Sequence, residues 1–134
     1  MWPAAAVPGE VSFREDLAAH IHDIMNPEWA GLTEQPTTDP GAATYFLFHD
    51  CDLATLRWGL STLRLWYPAA VYDEPVAGPL PPSTFVLPVG DRTLRPEWMR
   101  YTARERLGVE PVEVPGGHCP HVSHPELVAD VVSP

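Results

Sequence analysis

Phe85-Val86-Leu87-Pro88-Val89-Gly90-Asp91 and, further along, Val112-Glu113-Val114-Pro115-Gly116-Gly117-His118 are the two stretches that decide how this chain reads. The first, from Ser83 to Val89, is a short apolar run closed by Gly90-Asp91, the pattern of a buried strand. Arg95-Pro96-Glu97 opens a helix that runs to about Leu107 and is closed by Gly108. Val109 to Val114 reads as a second strand, and Pro125 to Val132 as a final helix. Strand, helix and strand within roughly thirty residues predict a right-handed parallel crossover. The expected class is α/β.

Upstream, the signals are helical. Ser12-Phe13-Arg14-Glu15 is a capping box, and Phe13, Leu17, Ile21, Ile24 and Met25 follow at helical spacing until Asn26-Pro27. Trp29 to Thr38 reads as a polar loop. Asp39-Pro40 is a second helix start, carrying Ala43, Tyr45, Phe46, Leu47 and Phe48. Asp52 caps a third, in which Leu53, Leu56, Leu60 and Leu63 form one stripe. Proline, glycine and alanine over 75–82 make a linker. The chain thus divides into a helical layer (1–74), a linker (75–82) and an α/β unit (83–134).

Composition excludes several functions. At 134 residues the length suits one domain, and the formal net charge is −10 with all eight basic residues arginine. Nucleic-acid binding relies on clustered cations that release counterions, so no nucleic-acid partner is expected. Anionic membranes are disfavoured for the same reason, and no apolar run approaches the roughly 20 residues that span a bilayer. The start, Met1-Trp2-Pro3-Ala4-Ala5-Ala6, lacks the pattern of a signal peptide, so a cytoplasmic location is expected. Cys51 and Cys119 fit no disulfide framework.

Functional groups in parallel sheets gather at the carboxyl ends of strands. Asp91 stands just beyond one such end and His118 just beyond the next, 27 residues apart. An acid that orients a histidine is half of a nucleophilic triad, and the paired glycines let the chain turn sharply before His118. Taken singly, Asp91 also reads as a turn residue and helix cap, and His118 as a solvated histidine in a glycine turn.

The segment Phe85 to Trp98 resembles the acid strand and following helix of α/β-hydrolases, in the branch of small esterases and hydroxynitrile-lyase-like proteins. Val112 to Pro120, followed by Ser123-His124-Pro125-Glu126-Leu127, is similar to that family's terminal segment, where a Gly-His turn carries the catalytic histidine. The resemblance implies a partial α/β-hydrolase fold with Asp91 as acid and His118 as base. It makes 1–74 a helical cap, and Phe48-His49-Asp50-Cys51-Asp52 looks like a stretch seen in bacterial members. It implies a small-molecule ester as substrate if the missing half is supplied, and it calls for no cofactor and no metal.

The departure is large. The family places its serine in a Gly-x-Ser-x-Gly elbow before the cap, and no such motif occurs here. Gly59-Leu60-Ser61-Thr62-Leu63 is the nearest approach, inside a helical stripe, so Ser61 reads as structural. The oxyanion loop and the earlier strands are missing too, which leaves a bare strand edge open to self-association. Two other readings stay open. His118-Cys119-Pro120-His121-Val122-Ser123-His124 and the His49 to Asp52 cluster are dense in metal-ligand types, though without paired spacing. Trp58, Trp66, Tyr67 and Phe46 offer aromatics for a non-catalytic interaction module. His20 and His22 fall on different faces of the first helix and read as surface residues. A chain with a base but no nucleophile is expected to be catalytically silent; assay of the purified 134 residues on short acyl esters checks this, and clear turnover would defeat it.

Overall fold

Ser12 forms the capping box in full: its hydroxyl accepts from Glu15 N at 3.3 Å, and the Glu15 carboxylate accepts from Ser12 N at 2.7 Å. The computed structural model describes residues 11–33, 36–63, 70–73, 75 and 80–133. Trp66, Tyr67 and 76–79 of the linker lie outside them. Helix α1 spans Phe13–Ile24, α2 Pro27–Ala30, α3 Pro40–Phe46, α4 Leu53–Thr62 and α5 Ala70–Asp73. Strand β1 (Val86–Pro88) leads to α6 (Pro96–Tyr101), which continues as a π-helical turn over Thr102–Arg106. Strand β2 (Val112–Val114), α7 (Pro120–Ser123) and α8 (Pro125–Val132) complete the order.

The α/β class holds at this coarse level: helices packed around a two-stranded parallel sheet, with Val86 opposite Val112 and Pro88 opposite Val114. Both strands are shorter than the apolar runs that announce them. At β2 the start of the run is held elsewhere: Val109 N donates to Ala103 O at 3.0 Å, and pairing begins only where Val112 N meets Phe85 O at 2.8 Å. In β1 the ladder bonds use Phe85 O and Val89 N, so the nitrogen of Pro88 faces the opposite edge and the pairing with β2 loses nothing. That outer edge is blunted by the same proline.

Local signals place the other helices. Asp39 accepts from Ala42 N at 2.6 Å and Asp52 from Thr55 N at 2.8 Å, as expected for caps. Asn26-Pro27 ends α1 but also opens α2, with Asn26 Oδ1 accepting from Glu28 N at 2.9 Å, so the loop expected from Trp29 begins later. Leu56, Leu60 and Leu63 pack against Ala43, Phe46, Leu47 and Phe48, whereas Leu53 in the first turn stays 62% exposed and leaves the stripe.

Two apolar clusters share one bridging ring. Ile24, Met25, Phe85, Leu87, Leu94, Trp98, Met99 and Ala103 form the first, and Ala43, Phe46, Leu47 and Phe48 the second. Trp29 touches both, edge-on to Phe46 at 5.3 Å. Helix α1 is fastened to the α/β unit at each end. Its C-terminal end joins a single antiparallel bridge between Met25 and Leu94, with Asn26 N on Thr93 O and Arg95 N on Ile24 O, both at 2.9 Å. Near its N-terminus, buried Asp16 takes both arms of the Arg106 guanidinium, one at 2.8 Å, and Arg106 stacks over Trp98.

Removing one partner of a buried pair strands the other charge, which costs more than the pair contributes. Asp16→Ala is therefore expected to lower stability by roughly 3 kcal/mol, while the double replacement Asp16→Leu/Arg106→Met recovers most of it. Urea midpoints measure both. Asp23→Ala, on a side chain 72% exposed, serves as the control within about 0.5 kcal/mol.

Candidate active site

The register of β1 against β2 carries the two turns that follow them to one edge of the sheet. Val89 N donates to Val114 O at 3.0 Å and Gly90 N to Gly116 O at 2.9 Å, so the turns stay paired beyond the ladder. Gly116 adopts φ +106°, a conformation that side-chain-bearing residues rarely reach. The result brings the two expected residues together: His118 Nδ1 lies 2.9 Å from Asp91 Oδ2.

The Asp91 side chain is 1% exposed, and an ion so buried must be fully hydrogen-bonded. Its other oxygen accepts from Thr93 N at 2.6 Å and Leu94 N at 3.1 Å, the amides that open the way to α6. Asp91 is thus a turn cap and an imidazole partner at once, and the two readings of it do not compete. A carboxylate oxygen only accepts, so Nδ1 carries the proton, and in the neutral imidazole Nε2 is left as the acceptor. His118 is half-buried and lines a cavity of about 660 Å³ whose walls include Phe13, Leu17, Met25, Trp29 and Leu94.

No hydroxyl or thiol among the described residues is hydrogen-bonded to that imidazole. Ser61 donates to Trp58 O at 2.7 Å within α4. Ser123 donates to Asp50 Oδ2 at 2.7 Å. Cys119 borders the cavity, but burial first, and then the neighbouring Asp91 carboxylate, push its thiol up to about 12. It is a packing group and not a thiolate.

Sequence reasoning did not assign His49 and Asp50 to this site. Both lie in the loop between α3 and α4, and each reaches one of the two turns. His49 Nε2 is 3.1 Å from Gly90 O, beside Asp91; Asp50 Oδ2 accepts from Gly117 N at 2.7 Å, beside His118. Burial pushes the Asp50 carboxyl up, but the Ser123 hydroxyl and the Gly117 amide outweigh it and hold the group below its ordinary value. The available signal was the glycine pair itself. A Cβ on Gly117 would meet His49 Nε2 at 2.6 Å and Asp50 Oδ1 at 2.9 Å. Among the described residues no three His, Cys, Asp or Glu side chains converge as a metal set. His20 stacks at a tilt on Trp98, and His22 is exposed. No helix among those residues is long and apolar enough to cross a membrane.

No family model, curated protein or solved structure matches this chain.

The thiol gives a prediction with a definite sign. Its value rises from an ordinary 9.0 to about 12 on folding, so the folded state holds the proton more tightly. That stabilisation is complete below 9.0 and is lost as pH climbs from there to about 12. Thermal melts across this alkaline range should fall for the native chain and less steeply for Cys119→Ala. At about pH 8, iodoacetamide should leave Cys119 unmodified in the folded chain and alkylate it in urea, as peptide mapping would show.

Proposed function

We propose that this chain supplies the acid, the base and part of the substrate pocket of a serine-type ester hydrolase of the α/β-hydrolase kind. The observation that carries the reading is the Asp91–His118 pair, held at 2.9 Å with the carboxylate pinned by two backbone amides. Its position beyond the carboxyl ends of two parallel strands, beside an apolar cavity, is where such chemistry is expected.

In this reading, His118 Nε2 takes the proton of a serine hydroxyl as its oxygen attacks the ester carbonyl carbon. The same proton then goes to the departing alkoxide, and the acyl group stays on the serine. Water repeats the sequence, giving its proton to Nε2 and releasing the acid. Asp91 keeps the imidazole in the tautomer that can accept and stabilises the imidazolium that forms. The serine and the oxyanion donors come from a segment other than these 134 residues, because no Gly-x-Ser-x-Gly occurs in them. The apolar walls favour an ester with a hydrocarbon or aromatic acyl group.

One observation favours a non-catalytic interaction module instead. Trp58 is 58% exposed over a cleft of about 490 Å³ shared with His121, Val122 and Pro125.

The coding sequence upstream of Met1 separates the two. The hydrolase reading expects a Gly-x-Ser-x-Gly elbow there in frame, or in an adjoining reading frame whose product binds this chain. The joined protein should hydrolyse short p-nitrophenyl esters, and His118→Ala should lower kcat on the order of 10⁶-fold, with Asp91→Asn costing about 10⁴-fold. Turnover indifferent to His118, or no elbow in either place, would overturn it.

A further inference from the structure

Two residues of the α3–α4 loop, His49 and Asp50, hold the turns of Asp91 and His118 from outside. We propose that His49 and Asp50 form a latch by which the helical layer positions the Asp91–His118 pair, Asp50 being the positioning residue for His118. The inference rests on the hydrolase reading for its purpose, but its geometry can be tested without it.

Asp50 is separated from Gly117 by 67 residues and from Ser123 by 73, yet one of its oxygens, Oδ2, serves both, each at 2.7 Å. Gly117 is the residue before His118, and Ser123 ends α7, the short helix after it. His124 Nδ1 adds a third approach, 3.4 Å from the same oxygen and 2.9 Å from Ser123 Oγ. The turn that carries His118 is therefore gripped on its two sides by one carboxylate. His49, next in sequence, holds Gly90 at 3.1 Å, the residue before Asp91. A two-residue segment of one loop thus fixes the spacing between acid and base.

Two further features support the assignment. Glycine at 116 and 117 is required by the latch and not only by the turn: a Cβ at 116 would meet Asp50 Oδ2 at 2.7 Å and His124 Nδ1 at 3.0 Å. Burial is the second. Asp50 Oδ1 is buried, and the two long-range hydrogen bonds that orient the side chain both fall on Oδ2. A carboxylate held this way stiffens the turn.

Proton NMR and amide exchange on the full 134-residue chain test the latch with no need of a nucleophile. In the unaltered chain, the His118 Nδ1 proton should be observable and the Gly117 amide protected. Asp50→Ala should abolish the Nδ1 signal and speed Gly117 exchange about tenfold or more, while Met99 and Val112 keep their protection. Asp50→Asn, whose carbonyl can stand where Oδ2 stands, should restore both. Gly117→Ala attacks the same contact from the other side and decides the matter if Asp50→Ala does not fold; it too should lose the Nδ1 signal. A Nδ1 proton that survives either alanine variant overturns the latch, and so does an even loss of protection that includes Met99 and Val112. Absence of that proton in the unaltered chain counts against the hydrolase reading, and Gly117 exchange then judges the latch by itself.

Discussion

Three paired positions of parallel ladder, Val86 to Pro88 against Val112 to Val114, bring Asp91 and His118 to one sheet edge, and so short a pairing does not hold itself in water. Everything around it acts as a clamp. From one side, α6 and its π-helical turn carry Trp98, Met99 and Ala103 into the cluster around Leu87. Helix α1 closes over that cluster through the Met25–Leu94 bridge and the Asp16–Arg106 pair. From the other side, the α3–α4 loop grips the two turns beyond the ladder. The sheet is the reference frame, but its neighbours hold it in place.

Three buried or nearly buried aspartates meet the cost of desolvation in three ways. Asp16 has a guanidinium, Asp91 has two amides and an imidazole, and Asp50 has an amide and a hydroxyl on one oxygen. All three join segments far apart in sequence, in a chain whose net charge of −10 already opposes compaction. Only Asp16 has a permanent cation as partner. The other two depend on backbone donors, and backbone donors are available only if the turns fold first. Their contributions are therefore cooperative with the turns they stabilise.

What was legible in the sequence was local. Ser12 with Glu15, Asp39 with Pro40, Asp52, and the span of α8 follow from signals within four residues, and the structure reproduces each. Strand ends were less legible because hydrogen-bond partners decide them, and Val109 N turns to Ala103 O before the ladder begins at Val112. Leu53 left its stripe because packing against α3, not period, selects which leucines are covered. The pairing of Asp91 with His118 was readable since parallel topology alone puts both at one edge. The parts played by His49 and Asp50 were not, because nothing within a helical turn or a strand repeat links Asp50 to a residue 67 positions away. Their ligand-type chemistry left a metal reading open beside the others, whereas these side chains are engaged with backbone and a hydroxyl.

A buried carboxylate–histidine pair is a poor way to stabilise a small fold. Apolar residues of similar volume often do as well or better, since they avoid the desolvation of an ion. Here the expense is compounded. Asp91 is 1% exposed, the turn before its partner needs Gly116 at φ +106°, and a second carboxylate, Asp50, holds that turn in place. These features lie at adjacent points, and all of them bear on the orientation of the His118 imidazole. Under the proposed function, such a concentration is where stability would yield to geometry. The proposed function accounts for this arrangement through the proton that His118 would carry.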